Sequence, residues 1–414
     1  MTTTRSDMTS HARATRDKAA PTRAEAATTP RVGAHTPVRV LLVAPALDIL
    51  GGQAVQAARL LEQLQQEPAL TVGFTPINPT FPSLLRRWQS VKYVRSIRTS
   101  LLYWWRLLAD VRRYDVIHIF SASYFSFLIS PTPAVVVAKL FGKRVVLNYR
   151  SGEAEDHLRR WPSARRTLQR VDEIVVPSGY LIDVFARFGL RARAIFNIVE
   201  TARFRFRARR PLRPVFLSNR NLEPMYNVGC VLRAFALVQQ RYPEAQLTIA
   251  GDGRERTRLE QLARELKLQH VHFIGRVAPE RMPELLDAAD IYLNASEIDN
   301  MPGSIIEAYA AGLPVVTTDA GGIPYIVAHE ETGLLVPCGD AEALAAGALR
   351  LLADEEFAAR MTERALRACE QYSWPAVRGE WLKLYHELAQ GVASVAVQAE
   401  GKDELLPVSL NKQG

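Results

Sequence analysis

Cysteine is scarce in this 414-residue chain. Cys230, Cys338 and Cys369 are odd in number, widely spaced and in no CxxC pair. That pattern excludes a disulfide framework or a zinc knuckle and suits a reducing cytoplasm. An apolar leader segment is not expected in residues 1–37 either: they are rich in Thr, Ala and Arg, lack an apolar stretch and read as a disordered tail. A transit peptide shares the Arg-rich look, but Asp7, Asp17 and Glu25 argue against it. The uncharged run between His118 and Lys139 is broken by Ser121, Ser126, Ser130, Pro131 and Pro133. It reads as a strand, a polar turn and a buried helix starting near Pro133, not as a membrane span.

Several motifs are absent as well. Gly251-Asp252-Gly253 lacks the third glycine of GxGxxG and reads as a turn, and neither GxxxxGK[ST] nor HExxH occurs. No D-x-D pair is available to hold a divalent cation. A phosphate-bearing ligand would have to be met by protein cations and helix ends.

What is present is an ordinary globular balance, 48% apolar and 23% charged residues, in a length that argues for two or three domains at roughly 150 residues each. From Val38 short β-rich runs (VRVLLVA, DVIHIF, RVVLNYR, EIVVPS) alternate with helical stretches, and after an Arg-rich segment at 191–213 a second series does the same (PVFLSNR, AQLTIAGDG, VHFIG, IYLNAS, PVVTTD, TGLLVP). This α/β pattern predicts two doubly wound domains in tandem, with the cleft between them as the default site.

Gly51 and Gly52 sit between the first strand and a helix, where free N–H groups could meet an anion or where a turn simply needs glycine. The richest stretch runs from Asn294 to Val336. It sets Asp299 in a loop and Glu307 eight residues on, in a helix. A carboxylate near a helix start can accept hydrogen bonds from a ribose diol, while N–H groups around Gly303, Ser304 and Ile305 can meet phosphate. An ordinary capping box, with Ser304 as N-cap and Glu307 three residues on, explains the same spacing.

The order of these motifs resembles the family-four retaining glycosyltransferases of the GT-B fold, two Rossmann-like domains facing a cleft. The likeness runs over roughly residues 38 to 390. It covers Gly51-Gly52, VDEIVVPSGY with Ser178, the Asn197 segment, IAGDG, HFIGRV, the Asp299 to Glu307 element, AGLPVVTTDAGG, TGLLV and YSWPAVRGEWLKLYHEL. It implies a tail at 1–37, an acceptor domain at 38–205, a nucleotide-sugar domain at 206–372, a helix at 373–394 crossing back, and a tail at 395–414. It also implies sugar transfer from a nucleoside diphosphate sugar to a glycan or lipid-linked acceptor, as in polysaccharide or glycolipid synthesis, with no required metal and no cofactor. The resemblance puts Glu307 on the ribose, Asp299 at the donor sugar and Arg220 on the diphosphate. Gly52 then approaches the phosphates, and backbone at Gly275, Arg276 and Val277 meets the base.

Departures cluster at the diphosphate and the sugar. The family's usual Lys is replaced by Tyr226 or Asn227, Pro302 offers no N–H, Tyr325 stands where Glu is common, and the usual His is missing from LNYRSGEAED, where Arg150 is the nearest candidate for the lost cation. A noncatalytic protein that binds nucleotide, glycan or a partner transferase is therefore the alternative. His157 reads as part of a solvated loop, and His270 and His272, on one strand face, lack a third metal ligand.

The net charge of +9 is unevenly spread. Lys and Arg outnumber acids six to three in residues 1–37, eight to one in 86–113 and eight to one in 191–213, so the remainder is acidic. The 191–213 excess falls on the strip expected to join the domains at the cleft, so nucleic acid is a poor expectation, and phosphate-bearing donors and anionic lipid better ones. Residues 86–113 place Val91, Val94, Ile97, Leu101, Trp104, Trp105, Leu108 and Val111 at helical spacing between basic flanks. Such a helix suits the inner face of an anionic membrane, or packs its later half on the sheet.

Overall fold

The computed structural model describes residues 37–47, 52–79, 92–121 and 123–391. The expectations for residues 1–36, Gly51, residues 86–91 and residues 392–414, and for the side chains of Val94 and Ile97, lie outside these. Twelve strands among the described residues form two parallel sheets. The first holds β1 (Val38–Ala44), β2 (Leu70–Pro76), β3 (Val116–Phe120), β4 (Arg144–Asn148), β5 (Glu173–Val176) and β6 (Arg193–Ala194), in the order β2-β1-β3-β4-β5-β6. The second holds β7 (Val215–Ser218), β8 (Gln246–Ala250), β9 (Val271–Gly275), β10 (Ile291–Asn294), β11 (Val315–Thr318) and β12 (Leu334–Val336), in the order β12-β11-β10-β7-β8-β9.

Both sheets are covered on two faces, which is why their strands are nearly continuous apolar runs. In β1, Leu41 and Val43 join one core with Ile117 and Ile119, while Val40 and Leu42 join the opposite core with Val116 and Phe120. The chain's last helix, Trp374–Ala389, returns to this N-terminal lobe and fills that second core with Val377, Trp381, Leu384 and Tyr385. Arg378 clasps the buried Glu67 through two hydrogen bonds of 2.6 Å.

Each sheet reverses its strand order once, between β1 and β3 and between β7 and β10. Ligands of such sheets bind beyond the carboxyl ends of the strands at the reversal. The helix that follows β1 and the loops after β7 and β10 all reach the same cleft.

The structure corrects two expectations about basic segments. Arg207, Arg209 and Arg213 do not face the cleft but converge on buried Asp290. Arg209 also donates to the carbonyls of Ala289, Ala311 and Leu286. These three linker cations are consumed in tying the linker to the second lobe. In the helix Lys92–Asp110, the buried side chains are Tyr103 and Leu107, followed by Val111, whereas Leu101, Trp104, Trp105 and Leu108 are exposed. The later half therefore presents one face to the core and a different apolar face outward. No helix among the described residues is long and apolar enough to cross a membrane.

Candidate functional site

A cavity of about 460 Å³ opens between the lobes. From the first lobe come Gly52 and Arg59 on the helix Gly52–Gln65 and Arg150 just after β4; from the second come Arg220 after β7, Asp299 after β10, and Gly303, Ser304 and Glu307 on the helix Gly303–Ala310. Glycines buttress the two loops of the second lobe. A Cβ on Gly251 would meet the Arg220 carbonyl at 2.2 Å, and one on Gly322 would meet the Asn300 carbonyl at 1.9 Å. Any side chain there would push the Arg220 or Asp299 loop aside.

Arg220 is ion-paired with Asp299, donates to Ser304 Oγ at 3.1 Å and lies 4.2 Å over the Tyr226 ring. Burial works against its charge, but Asp299, Tyr226, Tyr292 and Glu307 together hold its pKa above the ordinary value. Its Nε is buried and has no acceptor among the described residues, the kind of orphan that a bound acceptor satisfies. Tyr226, one of the two candidates for the family's Lys position, thus supports the arginine by a cation–π contact instead of adding a charge.

Arg150 is held by neutral partners. Its Nε donates to Asn148 Oδ1 at 3.0 Å, its Nη1 donates to Asn197 Oδ1, and its guanidinium lies 4.9 Å from the Phe120 ring centre. Burial pulls its pKa down to about 9, so it remains charged at neutral pH. No carboxylate pairs with it among the described residues. An unneutralised guanidinium in a cavity wall is a site for an anion.

Glu307 is largely buried, and burial raises its pKa against the opposing pull of Arg59. Arg59 Nη2 stands 3.6 Å from Glu307 Oε1 while its Nε pairs with Glu200 at 3.3 Å. Sequence reasoning missed Arg59, whose place on an amphipathic helix resembles that of any surface arginine. The capping-box expectation is corrected: the helix starts at Gly303 with Pro302 as an uncapped N-cap, and the Ser304 hydroxyl accepts from Arg220 instead. The Ile305 N–H is already used by the Pro302 carbonyl at 3.1 Å, which leaves Gly303 and Ser304 as the N–H groups of this turn without a backbone acceptor among the described residues.

Gly275 and Val277 do not line this cavity. Gly275 ends β9 with φ +73°, and its carbonyl accepts from the Gly251 N–H at 2.8 Å; Val277 packs against the second lobe's core. His157 is not solvated but buried in the helix Ala154–Arg160, bonded through Nδ1 to Tyr149 Oη at 2.8 Å, and burial drops its pKa to about 4. His270 precedes β9 with φ +53°, so it does not share a strand face with His272. No group of three or more possible metal-ligating side chains is found among the described residues.

His118 also escaped sequence reasoning. It is fully buried in β3, and its two ring nitrogens lie 2.7 Å from Tyr385 Oη and 3.1 Å from Asn148 Nδ2. Because Asn148 Oδ1 accepts from Arg150, the amide nitrogen faces His118, which fixes Nε2 as an acceptor and Nδ1 as the protonated nitrogen. Arg150 is thereby linked through Asn148 and His118 to the returning helix.

Comparison with known proteins agrees with this fold. Residues 200–368 match the "Glycosyl transferases group 1" family model, and residues 50–203 match "Glycosyltransferase Family 4". The chain is 32% identical over 170 residues to N-acetyl-alpha-D-glucosaminyl L-malate synthase of Bacillus anthracis, covering 41% of this chain and 44% of that one. It is 30% identical over 190 residues to phosphatidyl-myo-inositol mannosyltransferase of Mycolicibacterium smegmatis, covering 46% and 48%. The matched stretch thus spans less than half the length of each relative. Among solved structures, HepE of Anabaena, crystallised with UDP and glucose, superimposes with TM-score 0.67 at 17% identity, over 84% of this chain and 99% of that one. That likeness is one of fold.

Proposed function

The chain belongs to the group 1 glycosyltransferases built on the GT-B fold, and from that premise we propose that it transfers a sugar, with retention, from a nucleoside diphosphate sugar to a glycan or lipid-linked acceptor. The observation that carries this reading is the convergence of Arg150 and Arg220 on one cavity beside Asp299 and Glu307. Two cations in that wall can supply the charge compensation that the family's Lys would otherwise give a departing diphosphate. HepE, crystallised with UDP and with UDP-glucose, supports a nucleotide-sugar donor.

In this reading Glu307 accepts hydrogen bonds from the ribose diol, using oxygen lone pairs that the 3.6 Å contact to Arg59 leaves open. Gly303, Ser304 and Gly52 bring N–H groups to the diphosphate, and Asp299 faces the donor sugar. The acceptor oxygen bonds to the anomeric carbon on the face from which the diphosphate departs. The bond from that carbon to the phosphate oxygen breaks toward the phosphate, which takes the acceptor's proton. Arg150 and Arg220, together with those N–H groups, offset the charge that develops on it in this reading. The exposed Leu101, Trp104, Trp105 and Leu108, beside basic residues, hold the enzyme at the inner face of an anionic membrane. Failure to sediment with anionic liposomes at low salt removes that last element.

Calorimetry with UDP, GDP and ADP tests the site. At least one should bind the wild type, and Glu307→Ala should abolish that binding. Binding of none favours the noncatalytic alternative, and binding retained by Glu307→Ala overturns the ribose assignment.

A further inference from the structure

A second cavity, of about 530 Å³, adjoins the first and shares with it the walls Gly152, Glu153, Ile298 and Asp299. Its chemistry is the reverse of its neighbour's. Its one lining cation, Arg160, is paired with Asp156 at 2.8 Å, and Glu155 is matched by Arg159 and Arg187. Glu153 from the first lobe and Glu297 from the second have no cationic partner among the described residues; Glu297 accepts from Asn227 Nδ2 at 2.8 Å. Tyr124 and Tyr180 complete the walls, and the Tyr124 hydroxyl is fixed by a 2.9 Å bond to Asp156.

We propose that this vestibule receives the acceptor, and that it selects a neutral glycan over an anionic one. The inference rests on the sugar-transfer reading above, since the shared walls let an acceptor hydroxyl reach the donor without leaving the protein. Unpaired carboxylates accept hydrogen bonds from sugar hydroxyls, and tyrosine rings offer apolar faces to the C–H side of a pyranose. A phosphate or carboxylate on the acceptor would face Glu153 and Glu297, with the donor diphosphate close behind. Like charges so placed reject the ligand. The two cavities thus divide the work by charge: cations meet the donor in one, and free carboxylates meet the acceptor in the other.

Saturation-transfer NMR on the full chain, with UDP present in excess, tests this. The neutral probes are maltose, lactose, cellobiose and diacetylchitobiose; the anionic probes are glucose 6-phosphate and glucuronic acid. At least one neutral disaccharide should bind the wild type and neither anion should. Glu153→Gln keeps a hydrogen-bonding group without the charge. It should retain the neutral disaccharide and tighten glucose 6-phosphate by roughly tenfold, whereas Glu153→Ala should weaken the neutral one. Anions that bind the wild type as well as the neutral sugars do, or a Glu153→Gln variant that still excludes glucose 6-phosphate, overturn the proposal. UDP is titrated first and alone. Its failure to bind strikes the donor reading, while bound UDP with silent neutral sugars strikes only the acceptor proposal.

Discussion

Arg209 and Arg150 are both drawn out of bulk water, and burial lowers the pKa of both, to about 10 and about 9. Their surroundings differ. Arg209 has Asp290 and three backbone carbonyls of the second lobe around it. Arg150 has two amide oxygens and a ring, and one side open to the cavity. A buried charge satisfied on every side holds structure together; a charge with its counter-ion missing is kept for something that arrives later. Composition cannot separate the two, because both count equally toward +9.

The contrast breaks first at Asp290. Burial alone would raise its pKa, but hydrogen bonds from Arg213 and Arg207 hold it below the ordinary value. Asp290→Ala leaves Arg209 buried without a counter-ion, so unfolding in urea should show a loss of about 3–5 kcal/mol. Nucleotide affinity of the molecules that remain folded should not change. A stability loss under 1 kcal/mol would place Arg209 in the same class as Arg150.

Arg150→Met should behave in the opposite way. Losing two amide hydrogen bonds destabilises, and relief of an unpaired charge stabilises, so the net change in folding should stay within about 2 kcal/mol. Affinity for the diphosphate should fall roughly tenfold or more, in line with a lost charge-assisted contact. Affinity unchanged by Arg150→Met would assign the cavity's anion site to Arg220 alone.

The same contrast marks how far the sequence could be read. Strand and helix alternation made both sheets legible, because strands buried on two faces must be apolar throughout. The Asp299 to Glu307 element and Arg150 were singled out only through the family resemblance, since spacing alone fitted an ordinary capped helix as well. The linker arginines were misread because their partner, Asp290, lies some eighty residues away and no local pattern joins them. Arg59, His118 and Tyr385 stayed hidden for the same reason: each acts across the fold, on Glu307, Asn148 and His118. The helix 86–113 was half legible. Its amphipathic period is plain, but only packing shows that Tyr103 and Leu107 face inward and Trp105 outward.

The smallest expected effect is the finest test of Arg150's open charge. His118 is held neutral by burial first and by the field of Arg150 second, with its pKa lowered to about 3. A folded-state pKa below the unfolded value of about 6.5 means that the unfolded chain binds the extra proton. The contribution of His118 to stability is therefore full above that pH and is lost as pH falls toward 3, at up to about 1.4 kcal/mol per pH unit. Removing the charge in Arg150→Met lets the His118 pKa rise, so the loss should level off at a higher pH than in the wild type. Neutralising the linker cluster with Arg213→Gln should leave that segment of the curve in place, because Arg213 is paired with Asp290 and does not act on His118. Urea midpoints from pH 7 down to below about pH 3 for the three proteins measure it. Parallel curves for Arg150→Met and the wild type would mean that the guanidinium's field is already quenched within the fold, and that it holds no free charge to offer a ligand.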